Sequence, residues 1–428
     1  MKARVFISGM GAICASGKSP REIWGALRGG SPALRPIQQW DSSRWPAPLA
    51  GEIAELEPRA LVDDRKLHKL IARTDLFGLY AAERAVEESG CAAFRASLDP
   101  SLQSGFNDRT GIFVGSGGAL YKSQYDFFPL LAQSAGDLAA FGRDFPGLIH
   151  PMWLLRTLPN NVLCHLGIRS GFKGPNACIT NHGVSGALAV AEAAEAILAR
   201  EADRAVAVGH NAPVEPQTVA HYHALGLLSA DALRPFDAGR SGTVLGEGAG
   251  SMVLESEESA GQRGAQVLGE YLGHGCAAEG ESLLSVRDDG DGPERAMRLA
   301  LADAGVDPAD VGLIVAHGNG TEKSDASEAR AILRVFGKAP PPVTGFKWAF
   351  GNVLDPGGIL DSILALVSLR EGEVPGIATL RNIDPACSGL RVLDRAGEPD
   401  GEIALVHCRG FGGLSAALVF RATRTAGR

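Results

Sequence analysis

The chain has 428 residues, of which 45% are hydrophobic and 21% are charged, with a net charge of −8. These values are typical of a soluble globular protein with room for two large cores or one double domain. The acidic balance argues against nucleic-acid binding. No run reaches the ~18 apolar residues of a membrane span, and the first residues lack a secretory pattern. Seven scattered cysteines without metal-ligand spacing predict a reduced cytoplasmic protein with no metal site, and no cofactor is expected.

The first half of the chain alternates predicted strands and helices. Strands are predicted at 3–9, 111–115 and 204–210, and helices at 19–30, 65–90 and 187–200. Ser19 is a plausible N-cap for the first of these helices, with proline at its first position and Gly29 at its end. The segment 118–160 is rich in aromatic residues, including Tyr121 and Tyr125, and has no clear period. It predicts an irregular, mostly helical insertion that lines an apolar space or an interface.

A second half begins near residue 257. Its predicted strands are 265–275, 311–321 and the two strands of 402–422, and its predicted helices are 293–306, 324–337 and one after Pro356. We therefore expect two halves, 1–256 and 257–428, that repeat the order βαβαβαββ. Such alternation favours mostly parallel sheets covered by helices. Two such halves packed together give five layers, α-β-α-β-α.

The stretch 174–186, GPNACITNHGVSG, predicts a tight elbow between a strand and the helix that follows. An elbow of this kind presents one residue at a helix N-terminus. Free backbone N–H groups and the helix dipole favour negative charge there. This is a position where enzymes place nucleophiles.

Four further motifs accompany this elbow along the chain: GMGAI at 9–13, RPFDAGRSGTVLGEGAG at 234–250, AHGNGTEKSDASE at 316–328 and GFGG at 410–413. In this order they resemble the motifs of the beta-ketoacyl-ACP synthases, the condensing enzymes of fatty-acid and polyketide synthesis. The resemblance covers nearly the whole chain and implies a thiolase-like fold. Ser241 departs from the second motif, since the family usually has aspartate there.

The departures that matter most fall on the implied catalytic residues. The elbow of the family carries a cysteine that takes the acyl chain, and this position is Gly183 here. His317 matches the first histidine of the family. The second histidine lies in a K-x4-H motif, where this chain keeps the lysine as Lys347 and has Asn352 at the histidine. Arg409 stands where the family usually has phenylalanine.

The resemblance also implies an acyl pocket. Phe411 matches the phenylalanine that gates this pocket in the family, and Gly412 follows it in the same turn. The residues expected at the pocket or its gate are Phe411, Arg409, Gly412, Phe127, Phe128 and His182. His182 directly precedes the nucleophile position, where a hydrogen-bonded structural histidine is the simpler alternative.

Condensation needs a thiolate to hold the acyl chain and donors to stabilise an enolate. Glycine at 183 cannot hold an acyl group, and Asn352 donates a hydrogen bond but cannot be protonated. Cys178 and Ser185 are candidate substitute nucleophiles, but a strand interior and a packing serine are their expected roles. Cys164 precedes a histidine that matches a structural position of the family.

A basic cluster is formed by Arg65, Lys66 and Lys69, with Arg73 on the same predicted helix face. A solvated helix face explains such a cluster without any partner. The resemblance implies a second interpretation, the docking of an acidic acyl carrier protein, for which a basic patch on an acidic protein is suited.

Three hypotheses for function follow. The leading hypothesis is a silent subunit like the chain-length factors of polyketide and polyene systems, including those for aryl polyenes, paired with a cysteine-containing ketosynthase. The second is an acyltransferase, hydrolase or decarboxylase with a remodelled site of His317, Asn352 and Arg409. The third is a homodimeric acyl-binding scaffold.

We also expect a dimer across the sheet edge near 174–186 and the 110–165 region, because the aromatic insertion is too apolar to lie exposed on a monomer.

Overall fold

The computed structural model describes residues 3–54, 56–118 and 127–423. Tyr121 and Tyr125 of the aromatic insertion lie outside the described residues. The strands are β1 Val5–Cys14, β2 Arg35–Pro36, β3 Leu49–Ala50, β4 Thr110–Ser116, β5 Asn176–Ile179, β6 Arg204–Asn211, β7 Gly248–Ser256, β8 Gly269–Ala278, β9 Leu313–Val315, β10 Val343–Thr344, β11 Ile403–Gly410 and β12 Leu414–Ala422.

The α-helices of the described residues alternate with these strands. They are α1 Pro20–Arg28, α2 Pro58–Leu61, α3 Arg73–Ser89, α4 Cys91–Ser97, α5 Pro100–Asp108, α6 Phe128–Gln133, α7 Leu138–Leu148, α8 Trp153–Thr157, α9 Asn161–Ser170, α10 Ser185–Leu198, α11 Pro216–Ala224, α12 Glu257–Gln262, α13 Asp291–Ala304, α14 Glu322–Phe336, α15 Lys347–Phe350 and α16 Gly357–Glu371. None of these helices is long and apolar enough to cross a membrane.

Ten of the strands form one sheet with the order β10-β9-β11-β12-β8-β1-β7-β6-β4-β5. Read outwards from the β1–β8 junction, the two sides are β1-β7-β6-β4-β5 and β8-β12-β11-β9-β10, which is the same topology twice. This confirms the repeated halves. The junction itself is short, pairing Val5 to Ile7 with Gly269 to Tyr271. Because the sheet is continuous, the domain boundary at residue 257 stays a prediction.

Helices α10 and α16 contact each other between the two halves of the sheet. On the outer faces, α3 packs on β1, β6 and β7, while α13 packs on β8 and β12. This arrangement gives the five layers expected from the sequence. The central pair of helices is the largely apolar layer, with most of α10 and nearly all of α16 buried.

The expectation of mostly parallel sheets is wrong. Five neighbouring pairs in the large sheet are antiparallel and four are parallel. The parallel pairs involve β4 and β9, which follow crossover helices. Strands β7 and β12 instead return beside the preceding strand of their own half. For β11 and β12 the connection is only the turn Phe411–Gly413, and so short a return permits only an antiparallel pair.

The long helix predicted at 65–90 begins only at Arg73. Residues 67–69 form a 3₁₀ turn, and Ala72 is extended at the start of α3. The backbone N–H of Ala72 donates to the buried Asp75 carboxylate at 2.8 Å, which fixes this start. Leu67 and Ile71 are nevertheless buried. Their spacing of four residues therefore reflects side chains that are buried from an irregular segment, not from a helix. The strand predicted at 311–321 is also shorter, since only Leu313–Val315 pairs.

Glycines set how closely the two central helices approach. A Cβ atom at Gly358 of α16 would lie 2.8 Å from Ala187 Cβ of α10 and 3.0 Å from Cys408 Sγ of β11. At Gly186 of α10, a Cβ atom would lie 2.6 Å from the carbonyl oxygen of Asp355. The crossing point therefore has no room for an additional methyl group, and it lies directly behind the elbow.

We predict that Gly358→Ala lowers the free energy of unfolding by about 1–3 kcal/mol, because overpacking forces the central helices apart. Gly25→Ala is the matched control. Its new Cβ would have no atom within 4 Å, so the helix propensity of alanine should raise stability by up to ~1 kcal/mol. Urea unfolding of both variants measures the difference. Equal stability of the two variants would contradict a tightly packed crossing.

Candidate active site

The elbow lies between β5 and α10 as the sequence predicts. A 3₁₀ turn, His182–Val184, leads directly into the first turn of α10. His182 has a φ of +50°, a left-handed conformation that is uncommon for a residue with a side chain. Sharp reversal at this residue brings Gly183 against the end of β11.

Gly183 has no room for a side chain. A Cβ atom at this residue would lie 2.6 Å from the carbonyl oxygen of Arg409 and 3.4 Å from the Cα of Gly410. The first of these distances is shorter than real Cβ atoms tolerate, and the atom it meets is backbone. A residue larger than glycine at 183 therefore requires the end of β11 to move.

His182 fills the space between the elbow and the turn after β11. Its ring stacks on Phe411 with ring centroids 4.5 Å apart, and its Nδ1 accepts a hydrogen bond from the Phe411 N–H at 3.3 Å. Tyr222 places its hydroxyl 3.4 Å from Nε2. Burial, followed by the charge of His221, lowers the pKa of His182 to about 4. The imidazole is therefore neutral near pH 7 and is held as an aromatic plug.

A cavity of about 240 Å³ opens beside this plug. Its lining includes His317 and Asn352, and apolar walls are formed by Leu225, Leu227, Leu283, Leu284, Leu354 and Phe411. No aspartate or glutamate of the described residues lines it. The structure thus brings His182, His317, Asn352, Arg409 and Phe411 together as predicted from the sequence.

His317 is held in one orientation by its surroundings. Its Nδ1 accepts a hydrogen bond from the Arg409 N–H at 3.3 Å, so a neutral ring carries its proton on Nε2. Burial, then the charge of Lys347, lowers the pKa of His317 well below its usual value. The Glu328 carboxylate accepts from the backbone N–H groups of His317 at 2.7 Å and Gly318 at 3.0 Å. The result is a neutral hydrogen-bond donor at the cavity.

Asn352 and Lys347 occupy the two positions of the K-x4-H motif. The Asn352 Oδ1 accepts from the Leu354 N–H at 3.2 Å, which leaves the amide NH₂ as a donor. Lys347 is buried and donates to the Asp361 carboxylate at 2.7 Å. Lysine therefore acts on the cavity through its charge on His317, and it does not line the cavity.

Arg409 lines the cavity but is already paired. Its Nη2 donates to the Glu279 carboxylate and its Nη1 donates to Ser327 Oγ at 3.2 Å. Glu279 in turn accepts from the Arg287 N–H at 3.0 Å. Glu279 lies 130 residues away in sequence, and sequence reasoning did not identify it, because nothing local marks it as the partner of an arginine.

Sequence reasoning also missed two hydroxyl groups. Thr243 and Ser324 line the cavity and are buried, and neither hydroxyl has a hydrogen-bond partner among the described residues. Both residues lie inside the motifs 234–250 and 316–328, so their positions were visible, but their lack of partners was not. Buried hydroxyls without partners are uncommon in proteins, which distinguishes these two residues from the rest of the cavity wall.

The substitute nucleophiles take structural roles. Ser185 Oγ accepts from the Asn181 N–H at 2.8 Å and lies 2.9 Å from Asp355 Oδ1, so it fastens the elbow to the start of α16. Cys178 donates to the Pro159 carbonyl at 3.4 Å, and burial raises its pKa to about 11. Cys164 lies on α9 and, like Cys178 and Ser185, is not part of the cavity lining.

Phe127 and Phe128 are not brought to this cavity. Phe127 packs within the insertion itself, with ring centroids 5.1 Å from Phe145 and 6.3 Å from Phe141. Phe128 is exposed and contacts the ring of Phe127. Within one chain, therefore, the insertion forms its own aromatic cluster beside exposed leucines.

Arg65, Lys66 and Lys69 are exposed, but they lie on a turn and a 3₁₀ segment. The prediction that they share a helix face with Arg73 is wrong. Arg73 begins α3 and forms a two-point ion pair with the buried Glu247, at 2.7 and 2.8 Å. The exposed basic surface is therefore smaller than the sequence indicates.

Comparison with known proteins agrees with the motifs. Residues 2–260 match the family model of the beta-ketoacyl synthase N-terminal domain, and residues 268–381 match that of the C-terminal domain. The chain is 30% identical over 425 residues to a 3-oxoacyl-[acyl-carrier-protein] synthase 2 of Staphylococcus aureus (strain COL), with 98% of both chains covered. It is 31% identical over 424 residues to nodulation protein E of Rhizobium sp. (strain N33), covering 98% of this chain and 100% of the relative.

Among solved structures, the ishigamide ketosynthase/chain length factor superposes with a TM-score of 0.86 at 29% identity, covering 99% of this chain and 100% of the other. The two halves, the elbow and the cavity behind it thus define a ketosynthase-type protein with a thiolase-like fold. This chain belongs to the beta-ketoacyl synthase family.

We predict that Gly183→Cys alone does not restore condensation. The new side chain would meet the Arg409 carbonyl, and Asn352 would still lack a titratable ring. The double variant with Asn352→His supplies the second histidine but keeps the contact at 183, so any malonyl decarboxylation should exceed condensation. Mass spectrometry for an acyl group on the introduced thiol and assays of both reactions provide the measurement. Activity typical of the family in the single variant would refute this account.

Proposed function

We propose that this chain is the non-catalytic, chain-length-factor-like subunit of a heterodimeric ketosynthase in fatty-acid or polyketide biosynthesis. The observation that carries the proposal is the contact between Gly183 and the Arg409 carbonyl. An acyl-enzyme needs a nucleophilic side chain at the elbow, and the backbone of β11 occupies the volume that such a side chain requires. The chain therefore cannot hold a growing acyl group by itself.

The plug formed by His182 supports the same conclusion. A neutral histidine stacked on Phe411 uses the Phe411 N–H as its own hydrogen-bond donor. That N–H group is consequently not available to a substrate oxygen. Acyl entry at the elbow would require both the stacking and this hydrogen bond to be broken.

A surface for a partner subunit is present at the sheet edge. Strand β5 is one of the two edge strands of the large sheet and has partly exposed residues. The insertion, from α6 to the residue after α8, exposes large apolar side chains: Phe128, Leu131, Leu138, Leu148, Leu154, Leu155 and Leu158. It reaches β5 at Pro159, whose carbonyl accepts from Cys178. An unpaired edge strand beside an apolar surface is suited to association with a second sheet. One similar solved structure is a ketosynthase/chain length factor. This similarity supports a ketosynthase of the same fold as the partner of this chain.

Co-expression with a cysteine-containing ketosynthase from the same genome tests the proposal. We expect a 1:1 heterodimer in light scattering, acyl label only on the partner's cysteine, and no change in the mass of peptide 174–186 after incubation with acyl carrier protein substrates. Phe127→Ala or Phe128→Ala in the heterodimer should alter product length. A clean monomer of 44.6 kDa that binds no ketosynthase, or acylation within 174–186, would contradict the proposal.

Docking of an acyl carrier protein is part of the proposal. Reversing the charges of Arg65, Lys66 and Lys69 should weaken carrier-protein binding at low salt and flatten its salt dependence. Reversal of the exposed Arg21, Lys338 and Arg381 is the matched control, which should leave binding unchanged. Exposed charges contribute little to stability, so both variants should unfold like the parent chain. If the two triple variants bind the carrier protein equally well, the 65–69 segment is not its docking site.

A second candidate function is favoured by the hydroxyl groups of Thr243 and Ser324. Together with the donors of His317 and Asn352, they suit a polar group held without a covalent bond, as in an acyl-binding or decarboxylating homodimer. The co-expression experiment separates the two functions. A homodimer that does not bind the ketosynthase, and that releases carbon dioxide from a malonyl thioester, would favour the second function.

A further inference from the structure

A second cluster of polar side chains lies away from the elbow, at the far end of α10. Glu195 comes from the last turn of α10, His274 from β8 and Asp303 from the end of α13. The His274 Nδ1 is 4.0 Å from Glu195 Oε1 and 3.7 Å from Asp303 Oδ2, and the three ligand atoms all lie within 4.8 Å of one another. Helix α10 has 14 residues, which places this cluster about 20 Å from the elbow.

The spacing of these atoms suits a divalent metal ion. Zinc binds histidine nitrogen and carboxylate oxygen at about 2.0–2.2 Å, which separates neighbouring ligands of a tetrahedron by about 3.4 Å. The distances from His274 Nδ1 to Asp303 and Glu195, 3.7 and 4.0 Å, exceed this value by about 0.3 and 0.6 Å. Because all three side chains are partly or largely exposed, small rotations of Glu195 and Asp303 close the difference without movement of the backbone.

The electrostatic surroundings favour a cation at the same point. Both carboxylates lie in the last turn of a helix, where unpaired carbonyl groups give a partial negative charge. The Tyr271 hydroxyl lies 2.9 Å from His274 Nδ1, and this contact is given up when the nitrogen binds a metal ion. Two carboxylates at two helix C-termini repel each other unless a positive charge lies between them.

We propose that Glu195, His274 and Asp303 bind a divalent first-row transition-metal ion such as zinc. One nitrogen and two carboxylate oxygens are ligands that this class of ion accepts. Glu195 belongs to the first half of the chain, while His274 and Asp303 belong to the second. The ion therefore clamps the end of α10 to β8 and α13, and its role is to stabilise the contact between the halves.

Titration of the full chain with zinc, after treatment with a chelator, tests the proposal. We expect one ion per chain with a dissociation constant of about 10 µM or tighter, which corresponds to at least ~7 kcal/mol of binding free energy. The thermal unfolding midpoint should rise with zinc concentration, because the ion binds only the folded arrangement. Cobalt(II) should give a visible absorption spectrum that zinc abolishes.

Substitutions identify the ligands. His274→Ala and the nearly isosteric Asp303→Asn and Glu195→Gln should each weaken zinc binding at least tenfold and remove the thermal shift. His223→Ala, on the exposed face of α11, is the control and should bind zinc like the parent chain. Absence of zinc binding by the parent chain, or binding that survives both His274→Ala and Asp303→Asn, would overturn the proposal. None of these measurements depends on ketosynthase activity.

Discussion

The contact between the elbow and the end of β11 is the constraint on which the site depends. Gly183 lies so close to the Arg409 carbonyl that a Cβ atom would approach it to 2.6 Å. The backbone can come this near only because His182 takes a left-handed conformation and glycine follows it. The same approach places His182 on Phe411, and it places the Arg409 N–H against His317. The positions of His182 and His317 at the cavity are therefore both linked to one close backbone contact between the elbow and β11.

The central layer supports this contact from behind. Asp355 is buried before α16, where it meets Ser185 Oγ at 2.9 Å and accepts from Asn211 Nδ2 at 2.6 Å. Its carbonyl also accepts from the Gly186 N–H at 2.9 Å. Burial raises the pKa of Asp355 to about 7, so these hydrogen bonds hold a carboxyl group that is easily protonated. Through it the elbow, β6 and α16 form one rigid unit.

Much of this arrangement could be predicted from the sequence, because its signals are local. Ser19 does accept the Glu22 N–H as the N-cap of α1, and the repeated order of strands and helices matches the repeated topology. Motif spacing brings His317 and Asn352 to one cavity, whereas Gly183 is not among the residues that line it. The spacing of apolar residues at 65–72 wrongly predicted a helix, because the buried residues of a turn can have the same spacing as those of a helix. The charge of Arg73 wrongly placed it in an exposed basic cluster. Its partner Glu247 lies 174 residues away, so the local sequence does not show the ion pair.

Gly183 and Arg409 are each matched by the residues around them. Gly183 leaves no void, because the β11 backbone at Arg409 and Gly410 occupies the space in which a Cβ atom would lie. An arginine buried at 409 would cost several kcal/mol without a partner, yet Glu279 and Ser327 supply its hydrogen bonds. Arg409 is therefore matched by a carboxylate that lies 130 residues away in sequence. A subunit that presents a fixed shape to a catalytic partner requires such packing, so the paired arginine is consistent with the function proposed above.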